Sequence, residues 1–252
     1  MGGNVAARAG ASQSTALPAP TQVPSRPQRI AHRGAPRELR ENTLPSFLRA
    51  LERGADAIEL DVHATADGVV VVHHDAALKS DTARPQFAGR LIREMEWSDL
   101  QRVLYRDGHG LPTLDEVLEA VGQRAAVYVE VKVRGIEPAV VEILQRADTV
   151  TAVHSFDHRV ARRMNALAPE IPTGILVEAY LLDAPHALAL ALARDYWPNW
   201  QYCDPEMIAS LQAAGGRVIA WTANEPGVIE SLVAAGVDGL CTDDVRLLDG
   251  VS

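Results

Sequence analysis

Cysteine is nearly absent: only Cys203 and Cys241 occur in 252 residues. Two thiols form neither a disulfide framework nor a multi-cysteine zinc site. Basic charge is also short, with 24 Lys and Arg against 33 Asp and Glu and a net charge of −9. That sign argues against nonspecific binding to nucleic acid or to an anionic bilayer. An anionic substrate would need a site that makes its own positive field. No apolar run approaches the roughly 20 residues of a membrane span, so no stable membrane association is expected. A hydrophobic fraction of 47% is ordinary for a globular protein. The length suits one large domain of the kind α/β barrels form.

Residues 1–28 are rich in Ala, Gly, Ser, Thr and Pro, without an apolar core of signal-peptide length. They read as a disordered tail, and the missing leader implies a cytoplasmic protein. A single folded domain is expected over 29–252. Short apolar runs predict strands at 29–32, 57–62, 127–131, 151–154, 173–177, 196–200, 218–221 and 238–242. Helix-period segments separate them. Gly54 closes the first helix, Thr113-Leu-Asp-Glu116 is a capping box, and Asp204-Pro205 and Asn224 are start signals. The run at 69–73 follows Asp67-Gly68 too closely for a parallel crossover, so it should pair antiparallel as an added hairpin strand. Eight strands alternating with helices predict a (β/α)₈ TIM barrel. An open doubly wound sheet competes, weakened by the lack of a Gly-rich loop after the first strand.

In a barrel the polar residues at the carboxyl ends of the strands face the site. Here they are His32 and Arg33, Glu59 and Asp61, and Glu130 and Lys132. Residues two apart on a strand share a face. Glu59, Asp61 and Glu130 can therefore converge, either around a hard divalent cation or in buried salt bridges with Arg33 and Lys132. His32 ends the first strand, and His73-His74-Asp75 ends the hairpin. Histidines that end neighbouring strands beside carboxylates suit a general acid and a general base. Pleating lets only one of His73 and His74 point into the site. Among the remaining histidines, His154 is the one peripheral candidate.

These residues sit in segments that resemble the glycerophosphodiester phosphodiesterases. The matching stretches are I-A-H-R-G (30–34), E-N-T (41–43), I-E-L-D-V (58–62), D-G-V-V-V-V-H-H-D (67–75) and L-P-T-L-D-E-V-L (111–118). V-E-V-K (129–132), S-F-D (155–157), V-I-A-W-T-A-N-E (218–225) and G-V-D-G-L-C-T-D (236–243) follow in order. The resemblance implies a barrel that hydrolyses small soluble glycerophosphodiesters to sn-glycerol 3-phosphate and an alcohol. It implies one divalent cation, Mg²⁺ or Ca²⁺, held by Glu59, Asp61 and Glu130. It assigns His32 and His74 to catalysis, Arg33 and Lys132 to the phosphate, and Trp221 to the glycerol carbons. Glu41 and Asn42 fall close behind the site, and His73 is a bystander. Two departures stand out: Lys79 where many relatives carry arginine, and a short stretch at 83–110.

Three alternatives are a phospholipase D-like or phosphoinositide-type phosphodiesterase, a silent glycerophosphodiester-binding barrel, and an aldolase using Lys132. The first needs a docking surface, for which Tyr196–Trp200 is the sole candidate. The second should have lost a histidine or a ligand, and none is missing. Neighbouring carboxylates would keep Lys132 protonated, against the third.

Overall fold

The strands are short and buried on both faces, as expected of a parallel sheet covered by helices. A computed structural model describes residues 26–82 and 84–251. The strands are β1 (Gln28–His32), β2 (Ala57–Ala64), β3 (Val70–Val72), β4 (Ala126–Val131), β5 (Thr151–Ser155), β6 (Thr173–Val177), β7 (Asp195–Pro198), β8 (Arg217–Ala220) and β9 (Gly239–Thr242). The helices are α1 (Leu44–Glu52), α2 (Trp97–Leu100), α3 (Leu114–Val121), α4 (Glu137–Arg146), α5 (His158–Leu167), α6 (Ala184–Ala191), α7 (Pro205–Ala213) and α8 (Pro226–Ala235). The expected tail lies outside the described residues up to residue 25. Of its last three residues, Arg26 pairs with Asp56 at 2.6 Å and Gln28 opens β1.

The sheet runs β1-β9-β8-β7-β6-β5-β4-β2, and β1 also pairs with β2 in parallel, which closes an eight-stranded barrel. β3 lies outside the ring, antiparallel to the end of β2 through Val62↔Val72. The predicted TIM barrel with an added hairpin strand is the observed fold. The predicted caps also form: Thr113 and Glu116 make both bonds of the capping box, and Asp204 accepts from the Met207 amide at 2.8 Å. Asn224 does not cap its helix. Glu225 holds that position, and the Asn224 side chain turns to Asp243 instead. Pro198 ends β7 two residues earlier than expected, its carbonyl accepting from the Trp221 amide at 3.1 Å. The stretch after β3 is not a bare loop. Leu78, Phe87, Ile92, Met95, Leu100 and Tyr105 pack into a small core of their own beside the barrel.

Inside the ring, Ile30, Ala57, Tyr128, Ala152, Leu176, Trp197, Ile219 and Cys241 form one apolar layer. Two residues further along their strands stand His32, Glu59, Glu130, His154, Trp221 and Asp243. The period of two therefore stacks a polar layer directly on an apolar floor, at the carboxyl mouth.

The turn that leaves β1 for α1 depends on Gly34. Its φ is +93°, and a Cβ there would meet the Ser46 carbonyl carbon at 2.8 Å and its oxygen at 2.9 Å. Gly34→Ala should lose about 2 kcal/mol or more of stability in urea denaturation. A change below about 0.5 kcal/mol would show that the turn adapts.

Candidate active site

Strand register brings the acids together. His32 lies level with Glu59, Asp61 with Glu130, and Glu130 with His154. Glu59, Glu130 and His154 each bring one possible ligand atom to within 4.8 Å of the others. His154 Nε2 is 3.6 Å from Glu59, so this histidine has the partner that its peripheral placement in the sequence did not suggest. Asp61, with 0% of its surface exposed, stands beside that trio and faces two cations. Arg33 Nε lies at 3.0 Å and Lys132 Nζ at 3.3 Å, and Asn42 donates to Asp61 Oδ2 at 2.8 Å. Lys132 also reaches Glu130 at 2.8 Å. Glu41 sits one step further out, bonded to Arg33 at 3.2 Å and to Lys79 at 2.5 Å. Lys79 is thereby committed to a carboxylate.

Burial pulls these acids apart in proton affinity. Burial pushes Glu130 up, the Asp61 charge adds to it, and the Lys132 cation only partly offsets them, leaving the carboxyl at about 7. Asp61 feels burial too, but Arg33 and Lys132 outweigh it and hold the acid far below the usual carboxylate range. Glu130 is thus an acid short of positive charge. Glu59 and Glu130 with His154, beside an Asp61 whose Oδ1 is ion-paired to Lys132, make a donor set that fits a divalent cation.

The two catalytic candidates share a feature. His32 Nδ1 is 2.7 Å from Asp243, and Asn224 donates to the other oxygen of that acid at 2.7 Å. Burial lowers the His32 affinity for a proton, yet the Asp243 bond and the Glu59 charge overcome it and leave the pKa raised. His74 Nδ1 is 2.7 Å from Asp75. His73 is the more deeply placed of the two: it is buried, its Nδ1 meets the Asp75 carbonyl at 2.8 Å, and its ring stacks on Tyr105. Trp221 is half-buried, pinned by its Nε1 donating to the Trp197 carbonyl at 2.8 Å, with Phe156 edge-on at 5.4 Å.

Asp243 closes the matching stretch 236–243, but the sequence assigns it no role. Its signal is positional: it follows Cys241, a barrel-interior residue, by two.

Paired cations can hold a tetrahedral anion while two imidazoles with a free Nε2 pass protons at its ester oxygens. Fold and site together define a barrel phosphodiesterase. Residues 32–247 match the Glycerophosphoryl diester phosphodiesterase family, and the chain belongs to it as a phosphoric diester hydrolase. It is 30% identical over 234 residues to a glycerophosphodiester phosphodiesterase of Caldanaerobacter subterraneus, covering 87% of this chain and 95% of that one. A phosphodiesterase of Oleispira antarctica, solved with the product sn-glycerol-3-phosphate, superposes with a TM-score of 0.80 at 28% identity, over 88% of this chain and 94% of that one. A glycerophosphodiester phosphodiesterase of Agrobacterium tumefaciens gives 0.78 at 27% identity, over 89% and 100%.

The adjacent histidines lie just past the end of β3, and their contacts separate them. His74→Ala should lower kcat by about 10²-fold or more, and His73→Ala by less than about tenfold. Equal losses in two variants with native circular dichroism would contradict this assignment.

Proposed function

We propose that the chain hydrolyses small soluble glycerophosphodiesters to sn-glycerol 3-phosphate and an alcohol by two-histidine acid–base catalysis. The observation that carries this reading is the matched pair of imidazole–carboxylate contacts, His32–Asp243 and His74–Asp75, both at 2.7 Å. Each occupies Nδ1 and leaves Nε2 as the nitrogen that exchanges a proton. One imidazole accepts the proton of the attacking hydroxyl, and the other delivers one to the departing ester oxygen. Arg33 and Lys132, beside Asp61, bind the non-bridging oxygens and orient the phosphorus for attack. Trp221 offers the glycerol carbons an apolar wall.

Glu59, Asp61 and Glu130, with His154 beside them, would hold one Mg²⁺ or Ca²⁺. When bound, that ion supplies further positive charge to the phosphoryl oxygens.

A soluble substrate is supported by the fate of the one candidate docking segment. Tyr196 and Trp197 are buried in the barrel. Among the described residues, no helix is long and apolar enough to cross a membrane. The proposed setting is the cytoplasm, where headgroup diesters link lipid and glycerol metabolism.

The test is release of glycerol 3-phosphate from soluble glycerophosphodiesters, with a chelator and with Mg²⁺ or Ca²⁺ added back. Chelation should abolish turnover and add-back should restore it. Glu59→Ala should raise the metal requirement or remove activity. Full turnover in metal-free buffer would refute the cation site, and no release of glycerol 3-phosphate under any condition would refute the reaction.

A further inference from the structure

On the hairpin side of the mouth lies a narrow cleft that shares only His74 with the proton transfers proposed above. Arg40, Glu41, His73, His74, Lys79 and Tyr105 line it, and its enclosed part has room for one water-sized group, ≈ 10 Å³. Two of these side chains carry a buried polar atom without a partner, His73 Nε2 and Tyr105 Oη. Their residues are only 5% and 4% exposed. Leaving such an atom unmet costs about 1–3 kcal/mol, so a polar group is expected to meet it. Both rings are fixed. The Asp75 carbonyl holds His73 at Nδ1, the His73 ring stacks on Tyr105, and the Arg40 guanidinium lies 4.1 Å from the Tyr105 ring centre.

The charges of the cleft are already spent. Arg40 bonds Asp81 and Asp107, both at 2.5 Å, and Lys79 bonds Glu41. Its wall thus keeps no free carboxylate for a cationic group. The unused valences are a phenol hydroxyl and an imidazole nitrogen, each able to donate or accept. That combination takes an alcohol hydroxyl. A trimethylammonium group has no hydrogen-bond donor or acceptor to offer either atom.

We propose that this cleft is the leaving-group subsite and that it favours diesters whose alcohol is a neutral polyol. A hydroxyl of that alcohol reaches His73 Nε2 and Tyr105 Oη. The inference rests on the phosphodiesterase reading, with His74 as the link: it lines the cleft, so an ester oxygen beside it directs its alcohol inward. Trp221 and Phe156, on the β8 and β5 sides of the mouth, are left for the glycerol phosphate arm.

The experiment compares glycerophosphoglycerol with glycerophosphocholine, in wild type and in Tyr105→Phe, which keeps the ring and removes the hydroxyl. In kcat/KM the wild type should prefer glycerophosphoglycerol, and Tyr105→Phe should shrink that preference roughly tenfold, as loss of one hydrogen bond predicts. Calorimetric Kd values in a His32→Asn background read the cleft without turnover. A binding preference that Tyr105→Phe removes supports the subsite even if wild type releases no glycerol 3-phosphate, the result that would defeat the hydrolase reading alone. Preference for glycerophosphocholine overturns the subsite. So does a ratio that Tyr105→Phe leaves unchanged, the sign of a resident water only, or failure of both diesters to bind.

Discussion

A carboxylate with no exposed surface, Asp61, is the charge around which the mouth is built. Burying it alone would be prohibitive, so it demands Arg33, Lys132 and the Asn42 amide. Reaching it bends the backbone. Arg33 and Asn42 both adopt left-handed conformations, at φ +56° and +57°. For an arginine that costs about 1–2 kcal/mol, which the pair with Asp61 offsets. Asn42 N bonds Arg33 O at 3.0 Å, and Ser46 Oγ accepts from the Ala35 amide at 2.8 Å, so the turns after β1 and before α1 lock to each other. Gly34 is required between them because only a glycine lets the chain pass Ser46 so closely.

Charge balance follows from the same ring of residues. Glu59, Asp61 and Glu130 outnumber Arg33 and Lys132 by one. The raised Glu130 expresses that deficit as a tendency to keep its proton. A bound divalent cation would turn the balance to one positive, the complement of a singly charged phosphodiester. The local positive field that a chain of net charge −9 needs can therefore be assembled at the mouth without a basic surface.

The barrel and most of the site were legible because they follow from local rules. Alternation marked the strands, and the period of two placed Glu59 with Asp61 and Glu130 with Lys132. The contacts that escaped depend on pairing between distant segments. His154 joins Glu59 and Glu130 only because β5 lies level with β4 at Glu130. Asn224 carried an ordinary capping signal, and nothing local says that its amide prefers Asp243 on the next strand. The excursion after β3 shows no sustained period, since short 3₁₀ turns build its core. Tyr105 and its cleft were invisible for that reason.

The two imidazole contacts differ in what they require of the fold. His74 and Asp75 are neighbours in sequence, so their bond survives any change that spares the hairpin. His32 and Asp243 are 211 residues apart and meet because β9 pairs with β1. Asn224, which steadies Asp243, comes from the segment joining β8 to that last strand. The first histidine is therefore oriented only when the ring is closed, whereas Arg33, Asp61 and Lys132 all come from the stretch β1 to β4. In the proposed reaction the phosphate contacts draw on the first half of the barrel, whereas the paired proton transfer also needs its final strand. On that proposal catalysis reports on the whole closed sheet, and a weakened β9 should misorient His32 before it disturbs the cations around Asp61.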